Sequence, residues 1–358
     1  MKKRNLIIIV AVAIVGVVAL IVALNGSKKS TFAQDYHVED INSVTKLFLA
    51  DKQNNEVTLT RGEDSIWVID GRYEANKSMV DLLLETLNTM RIRQQVNRQA
   101  IPNVVKDIAA HGIKVEVYQY KPLINWFGGK LKLFPREKLT VTYYVGRETQ
   151  DMMASFMFRE GDKVPYIIHI PGFRGFLTPR FVTEPIKWRS HRIVELNVKQ
   201  LKRVELQIPA LPEESFAIVR DGEGFAMEML ANHQRVNGFD TARVAQMLSA
   251  FAFLNFDEFA SIVPNSLADS CVSGTPRAIL SITNTNGVTR QLKTYTKYSD
   301  PNDLEALGDE QLTENFDLNR LYAIIDNIDT VLIQYYIFDN ILQPASYFLG
   351  QDKTGFAR

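Results

Sequence analysis

A single cysteine, Cys271, stands in a chain of 358 residues. One thiol closes no intramolecular disulfide, so any extracytoplasmic fold must rest on its apolar core. No Cys stands directly behind the N-terminal apolar run, which excludes a lipoprotein. Excess charge is absent as well: 41 Lys and Arg balance 41 Asp and Glu. That neutrality argues against a nucleic-acid or polyanion binder, whose affinity needs a surplus of cations on one face. The five histidines, His37, His111, His169, His191 and His233, never fall three or four residues apart. A helical zinc site is therefore not indicated, and no metal or cofactor is expected.

Catalytic signatures are missing too. There is no G-x-S-x-G elbow and no P-loop, and Gly128-Gly129-Lys130 lacks the upstream glycine and the hydroxyl that phosphate cradling needs. Cys271 has Asp269 close by, which disfavours a reactive thiolate, so a structural place is expected for it. His111, just before Gly112, reads as a helix-terminal residue. His169 reads as a solvent-facing or satisfied strand residue. The acidic stretch 300–305 puts Leu304 where a calcium loop needs a ligand, and so reads as a solvated loop.

What is present begins at the N-terminus. Residues 6–24 (LIIIVAVAIVGVVALIVAL) hold no charged or polar side chain. At about 1.5 Å per residue they come close to the roughly 30 Å of a bilayer's hydrocarbon core. Lys2, Lys3 and Arg4 precede the run and Lys28 and Lys29 follow it, a bias that places the N-terminus in the cytoplasm and the rest outside. The competing reading is a cleaved signal peptide. The run is longer than a secretory apolar core of about 7 to 15 residues, and Val22-Ala23-Leu24 lacks a small-x-small site. An uncleaved single-pass anchor is expected over 1–25, a tether over 26–40, and then two lobes, 41–197 and 198–358.

The lobe division rests on a recurrence. Val44, Leu47 and Leu49 line up with Leu201, Val204 and Leu206, and the alternating strand at 57–61 answers to 216–220. Trp67-Val68-Ile69 matches Phe225-Ala226-Met227. Asn76 and Asp240 each stand where a helix N-cap accepts orphan N–H groups. Beyond them Val80, Leu83, Leu84, Leu87 and Met90 repeat as Val244, Met247, Leu248, Phe251 and Leu254, one apolar stripe per helix.

Each lobe continues alike. A short helix over 104–111 closes at Gly112 as a predicted C-cap, before a strand at 113–117. The counterpart strand at 277–282 turns tightly at Asn286-Gly287 and returns over 288–296. In the first lobe the return strand, 139–145, follows a much longer link. Strands are expected at 155–158 and 166–170, a helix near 318–325, and an apolar run over 331–338.

A strand pair with Trp67, a Leu-rich capped helix, His111-Gly112 and an alternating strand together resemble the bacterial domain of unknown function 4340, over 44–145 and more loosely over 201–298. That resemblance implies one N-terminal membrane segment and an association with ABC transport components of the gliding-motility type. It names no active residues. The fold class expected is α+β: two related lobes, each an antiparallel sheet with helices on one face, carried by one transmembrane helix.

The clearest asymmetry is the link at 121–137, with Trp126, Phe127 and Phe134 set among Lys121, Lys130, Lys132 and Arg136. Trp126, Phe127, Lys130, Lys132 and Phe134 form the candidate contact surface. Their rings could fold back on their own sheet, dock on a protein or settle at lipid headgroups. The leading functional reading is a non-enzymatic component of an envelope assembly at the bacterial cytoplasmic membrane, its ectodomain on the periplasmic side and its partners the membrane and a protein. The alternatives are an enzyme acting on envelope polymers, with its acid and base distant in sequence, and a glycan- or lipid-binding module with an aromatic-lined groove.

Overall fold

The computed structural model describes residues 36–126, 131–236, 238–263, 268–298 and 316–350, with Gly16; for 123–126 and 131–133 it describes the backbone alone. The apolar run at 6–24 thus lies outside the described residues, apart from Gly16. Among the described residues no helix is long and apolar enough to cross a membrane. The chain divides into two compact units between Arg189 and Ser190.

Unit one contains β1 (Val44–Ala50), β2 (Glu56–Arg61), β3 (Trp67–Ile69), β4 (Tyr73–Glu74), α1 (Lys77–Thr89), β5 (Arg91–Gln95) and α2 (Ile101–His111). It continues with β6 (Ile113–Trp126), β7 (Leu131–Glu148), β8 (Ser155–Arg159) and β9 (Tyr166–His169). The strands form one nine-stranded antiparallel sheet in the order β4-β3-β2-β1-β6-β7-β8-β9-β5. Alternation decides this assignment locally: Val57 and Leu59 are buried while their neighbours are not. Asn76 caps α1 by accepting from the Ser78 and Met79 N–H groups, and Val80, Leu83, Leu84, Leu87 and Met90 are all buried. Each fully buried Leu in that stripe contributes about 1.5–3 kcal/mol.

Unit two contains β10 (Arg192–Val194), β11 (Leu201–Gln207), β12 (Phe216–Asp221), β13 (Gly224–Met229), β14 (Arg235–Val236), α3 (Thr241–Ala250), β15 (Leu254–Asn255) and β16 (Glu258–Phe259). It continues with α4 (Ala268–Val272), β17 (Ala278–Asn284), β18 (Thr289–Tyr298), β19 (Phe316–Ile325) and β20 (Asp329–Gln334), and two short helices, Tyr335–Phe338 and Ala345–Phe348, follow. Its nine-stranded sheet runs β14-β13-β12-β11-β17-β18-β19-β20-β16, the order of unit one strand for strand. β10 and β15 form a separate pair.

The correspondence reaches single residues. The β1–β6 register shifts between Val44 and Lys46, and the β11–β17 register shifts between Leu201 and Arg203, so Thr45 and Lys202 occupy matching bulges. Arg61 reaches back to the Asn42 carbonyl at 2.7 Å with its guanidinium over the Trp67 ring, and Arg220 reaches the Leu201 carbonyl at 2.8 Å with its guanidinium over the Phe225 ring.

Two expectations are corrected. The helices do not share one face of the sheet. Tyr143, Met157 and Ile168 pack with α1, whereas their neighbours Tyr144, Phe156, Phe158 and Ile167 pack with Val104 and Ile108 of α2. Successive strand residues point to opposite faces, so α1 and α2 cover opposite faces. In unit two Cys271 and Val272 of α4 pack with Tyr295, Tyr322 and Leu332, while Leu321, Ala323, Val331 and Ile333 are equally buried with the opposite orientation.

Secondly, 316–325 is β19 rather than a helix. Leu318, Leu321, Tyr322 and Ile325 have helical spacing, but the segment lies between β18 and β20 and pairs with both. Gly112 closes α2 as its C-cap, its N–H donating to the Ile108 carbonyl with φ −70°. A Cβ there would lie 2.4 Å from the Ile108 carbonyl oxygen, so close approach rather than backbone freedom requires the glycine.

Candidate interaction site

The stretch read as a long link in unit one is two strands. β6 and β7 stay paired well past the sheet, through Lys121↔Arg136, Pro122↔Pro135, Ile124↔Leu133, Asn125↔Lys132 and Trp126↔Leu131. β1 accompanies β6 only as far as Val44↔Gln119, and β8 pairs with β7 only from Tyr143 onward. Beyond those points the hairpin extends with neither neighbour. In unit two the same hairpin closes at once: Asn284 Oδ1 accepts from the Asn286 and Val288 N–H groups, and Gly287 takes φ +83°.

Bulges mark the root. Thr45 is the extra residue on β1, and the β6–β7 register shifts between Val117 and Tyr118, leaving Thr140 extra on β7. The Thr140 hydroxyl donates to the Val117 carbonyl at 3.0 Å, and Thr45 Oγ1 donates to Glu137 Oε2 at 2.8 Å. The other Glu137 oxygen meets Lys46 Nζ at 2.9 Å. The bonds from Lys46 and Thr45 hold the Glu137 carboxyl below the usual carboxylate range.

The same root receives the entering chain. Gln119, nearly fully buried, donates through Nε2 to the Asp40 carbonyl and to Ser43 Oγ, both at 2.9 Å. Val38 N–H donates to the Leu87 carbonyl at 2.7 Å, and Asn88 Nδ2 donates to the Val38 and Glu39 carbonyls at 2.9 and 3.2 Å. Tyr143 Oη donates to the Tyr36 carbonyl at 2.6 Å, fully buried. Between this clamped segment and the hairpin root lies a cleft of about 650 Å³ whose lining includes Glu39, Asp40, Gln119, Lys121, Arg159 and Glu160.

Behind it Tyr36 is completely buried, its ring centroid 5.4 Å from that of Tyr143 and 5.8 Å from that of Tyr166, with the Arg159 guanidinium 5.1 Å from its own. Arg159 Nη2 donates to Asp162 Oδ1 at 2.9 Å. Burial pushes both phenols well above their ordinary range, helped at Tyr36 by the Asp162 charge. Neither phenol is a base near neutral pH. The cleft offers polar groups of both signs.

Of the proposed contact residues, Trp126 ends β6 opposite Leu131, and Lys132 stands in β7 opposite Asn125. Phe127 and Lys130 lie outside the described residues. Phe134 is 68% exposed with φ +53°, a left-handed value that an aromatic residue rarely adopts. Its ring therefore does not fold back on the sheet. Tyr120 and Leu139 are exposed nearby at 52% and 39%.

The histidines are scattered. His111 ends α2 with Nδ1 3.2 Å from Asp107 Oδ1, and His191 stacks on Phe256 at 4.7 Å. His169, in β9, is held below its usual range by burial and by Arg93. Among the described residues no group of three or more His, Cys, Asp or Glu is placed to hold a metal ion.

Sequence reasoning missed the cleft. Its walls come from 37–40, 119–121, 140–143 and 159–160, and no local pattern joins those segments.

No curated protein and no solved structure matches this chain. A family model does, over residues 67–270, more than half of the chain and across the boundary between the units. On that match the chain belongs to the family described as Domain of unknown function (DUF4340).

Proposed function

We propose that this protein is a membrane-anchored, non-enzymatic component of a bacterial cell envelope, its two units held on the periplasmic side of the cytoplasmic membrane and docking there onto a partner assembly of the ABC-transport or gliding type. The observation that carries the reading is the clamp on the entering chain: Tyr36, Val38, Glu39 and Asp40 are bonded to Tyr143, Leu87, Asn88 and Gln119. Eleven residues, 25–35, separate an apolar run of bilayer length from that clamp. A tether of that length reaches at most about 40 Å, so it keeps unit one beside the membrane.

The matching sheet orders, bulges and arginine–ring pairs support the further reading that the units are copies of one duplicated ancestor. In that reading unit one acquired the hairpin extension and unit two kept the short turn.

The test uses the full chain in cells. Fused to its C-terminus, alkaline phosphatase is expected to be active and the protein to stay in the pellet after carbonate washing. An inactive fusion, or release by carbonate, overturns the anchored reading. Cross-linking before solubilisation, followed by mass spectrometry, should recover transport subunits in near-equal amount; their absence overturns the partner assignment.

A further inference from the structure

We infer that the β6–β7 hairpin rests on the anionic surface of the bilayer in which the chain is anchored; the inference rests on the anchored reading above and names the contact its hairpin makes. Direction is the first argument. β6 passes the start of β1 at Gln119, and Gln119 itself holds the Asp40 carbonyl of the entering chain. The hairpin therefore leaves the sheet at the end where the chain arrives. Its strands run on from Tyr120 to Trp126, about 23 Å at 3.3 Å per residue. That length is shorter than the roughly 40 Å the tether can reach, so the hairpin and the membrane can be brought together only when the tether is partly drawn in.

Charge is the second. Residues 121–138 carry five cations and one carboxylate in a chain whose charges balance overall. The carboxylate, Glu137, is already engaged through both oxygens by Lys46 and Thr45. Lys121, Arg136 and Lys138 are left exposed beside Phe134. Cations flanking an exposed aromatic ring suit a layer of anionic headgroups.

Backbone chemistry limits the depth and disfavours another partner. Beyond Gln119 and before Tyr143 the outer edges of the hairpin have no neighbouring strand among the described residues, and such edges cannot enter hydrocarbon, so the contact stays at headgroup level. Pro122 and Pro135 stand opposite one another and remove donors from both edges, which blunts the hairpin against an added strand from a protein.

The test uses the full chain with Cys271→Ser, reconstituted in phosphatidylcholine vesicles with and without phosphatidylglycerol. A single Cys replacing Phe134 carries an environment-sensitive dye; Gln53→Cys, exposed at the opposite end of β1, is the comparison. With phosphatidylglycerol present, headgroup-level spin-labelled lipid should quench the dye at 134 and not at 53. Reversing Lys121, Arg136 and Lys138 to Glu should weaken that contact by at least about a hundredfold. An unquenched dye at 134 on protein that stays with the vesicles overturns the hairpin inference alone. Equal quenching at 53 overturns it too, as does a dye response found only in native membranes, which would mean a protein partner. Protein that fails to float with any vesicle overturns the anchored reading instead.

Discussion

Lys46 Nζ lies 2.9 Å from Glu137 Oε1, joining the first strand of unit one to the root of its long hairpin. The Glu137 side chain is 41% exposed, so solvent screens the pair and Glu137→Gln should cost only a few tenths of a kcal/mol at pH 7. The folded carboxyl sits below its ordinary value, chiefly because of Lys46. Its contribution is therefore complete above the unfolded carboxylate range, near pH 4.3, and is lost as pH falls through the lower folded value. Urea unfolding of both proteins should show a difference at pH 7 that closes at a low pH where the folded carboxyl is protonated. An equal difference at both pH values would assign the effect to packing.

Tyr36 and Tyr143 should separate cleanly. Tyr36 Oη is buried with no hydrogen-bond partner among the described residues, so Tyr36→Phe should be neutral within about 0.5 kcal/mol or stabilising. Tyr143→Phe strips the donor from the Tyr36 carbonyl and should cost about 1–2 kcal/mol. Chemical denaturation decides, and the reverse ranking would mean that the Tyr36 hydroxyl is bonded in solution.

Gly146 on β7 lets α2 lie close to the sheet. A Cβ there would be 2.7 Å from Ile108 Cγ1 and 3.0 Å from the Phe156 carbonyl oxygen. Gly146→Ala should cost about 1–3 kcal/mol by overpacking. In an Ile108→Ala background most of that cost should vanish, since the obstructing carbon is gone. Additive costs would point to the Phe156 carbonyl instead.

Replacing 121–137 with an Asn-Gly turn like that of unit two should leave the fold intact. The variant loses the Glu137 bonds to Thr45 and Lys46, worth up to about 1 kcal/mol, so its Tm should fall by no more than about 4 °C. Unfolding of the variant would show that the hairpin contributes to the core.

Much of the fold could be read from local pattern. The alternating strands, the caps at Asn76 and Asp240 and both buried stripes depend on residues near in sequence. The misread parts depend on partners far away. Nothing between Phe316 and Ile325 distinguishes an edge-facing helix from a strand; its neighbours β18 and β20 decide. An apolar stripe says that a helix is covered on one side, not which face of a sheet covers it, so the opposed placement of α1 and α2 was out of reach. The candidate site divides in the same way. Its basic and aromatic composition was legible in the sequence, whereas the pairing to Trp126↔Leu131 and the clamp at its root required the folded chain.

The position of β1, fourth of nine strands, has a mechanical consequence. A pull on the chain at Tyr36 first meets the Tyr143 hydroxyl and the Leu87 and Asn88 contacts, and only then reaches Val44. From there the load enters a strand laddered on both sides, to β2 and to β6, so it is spread in shear over two rows of hydrogen bonds rather than peeling one edge strand bond by bond.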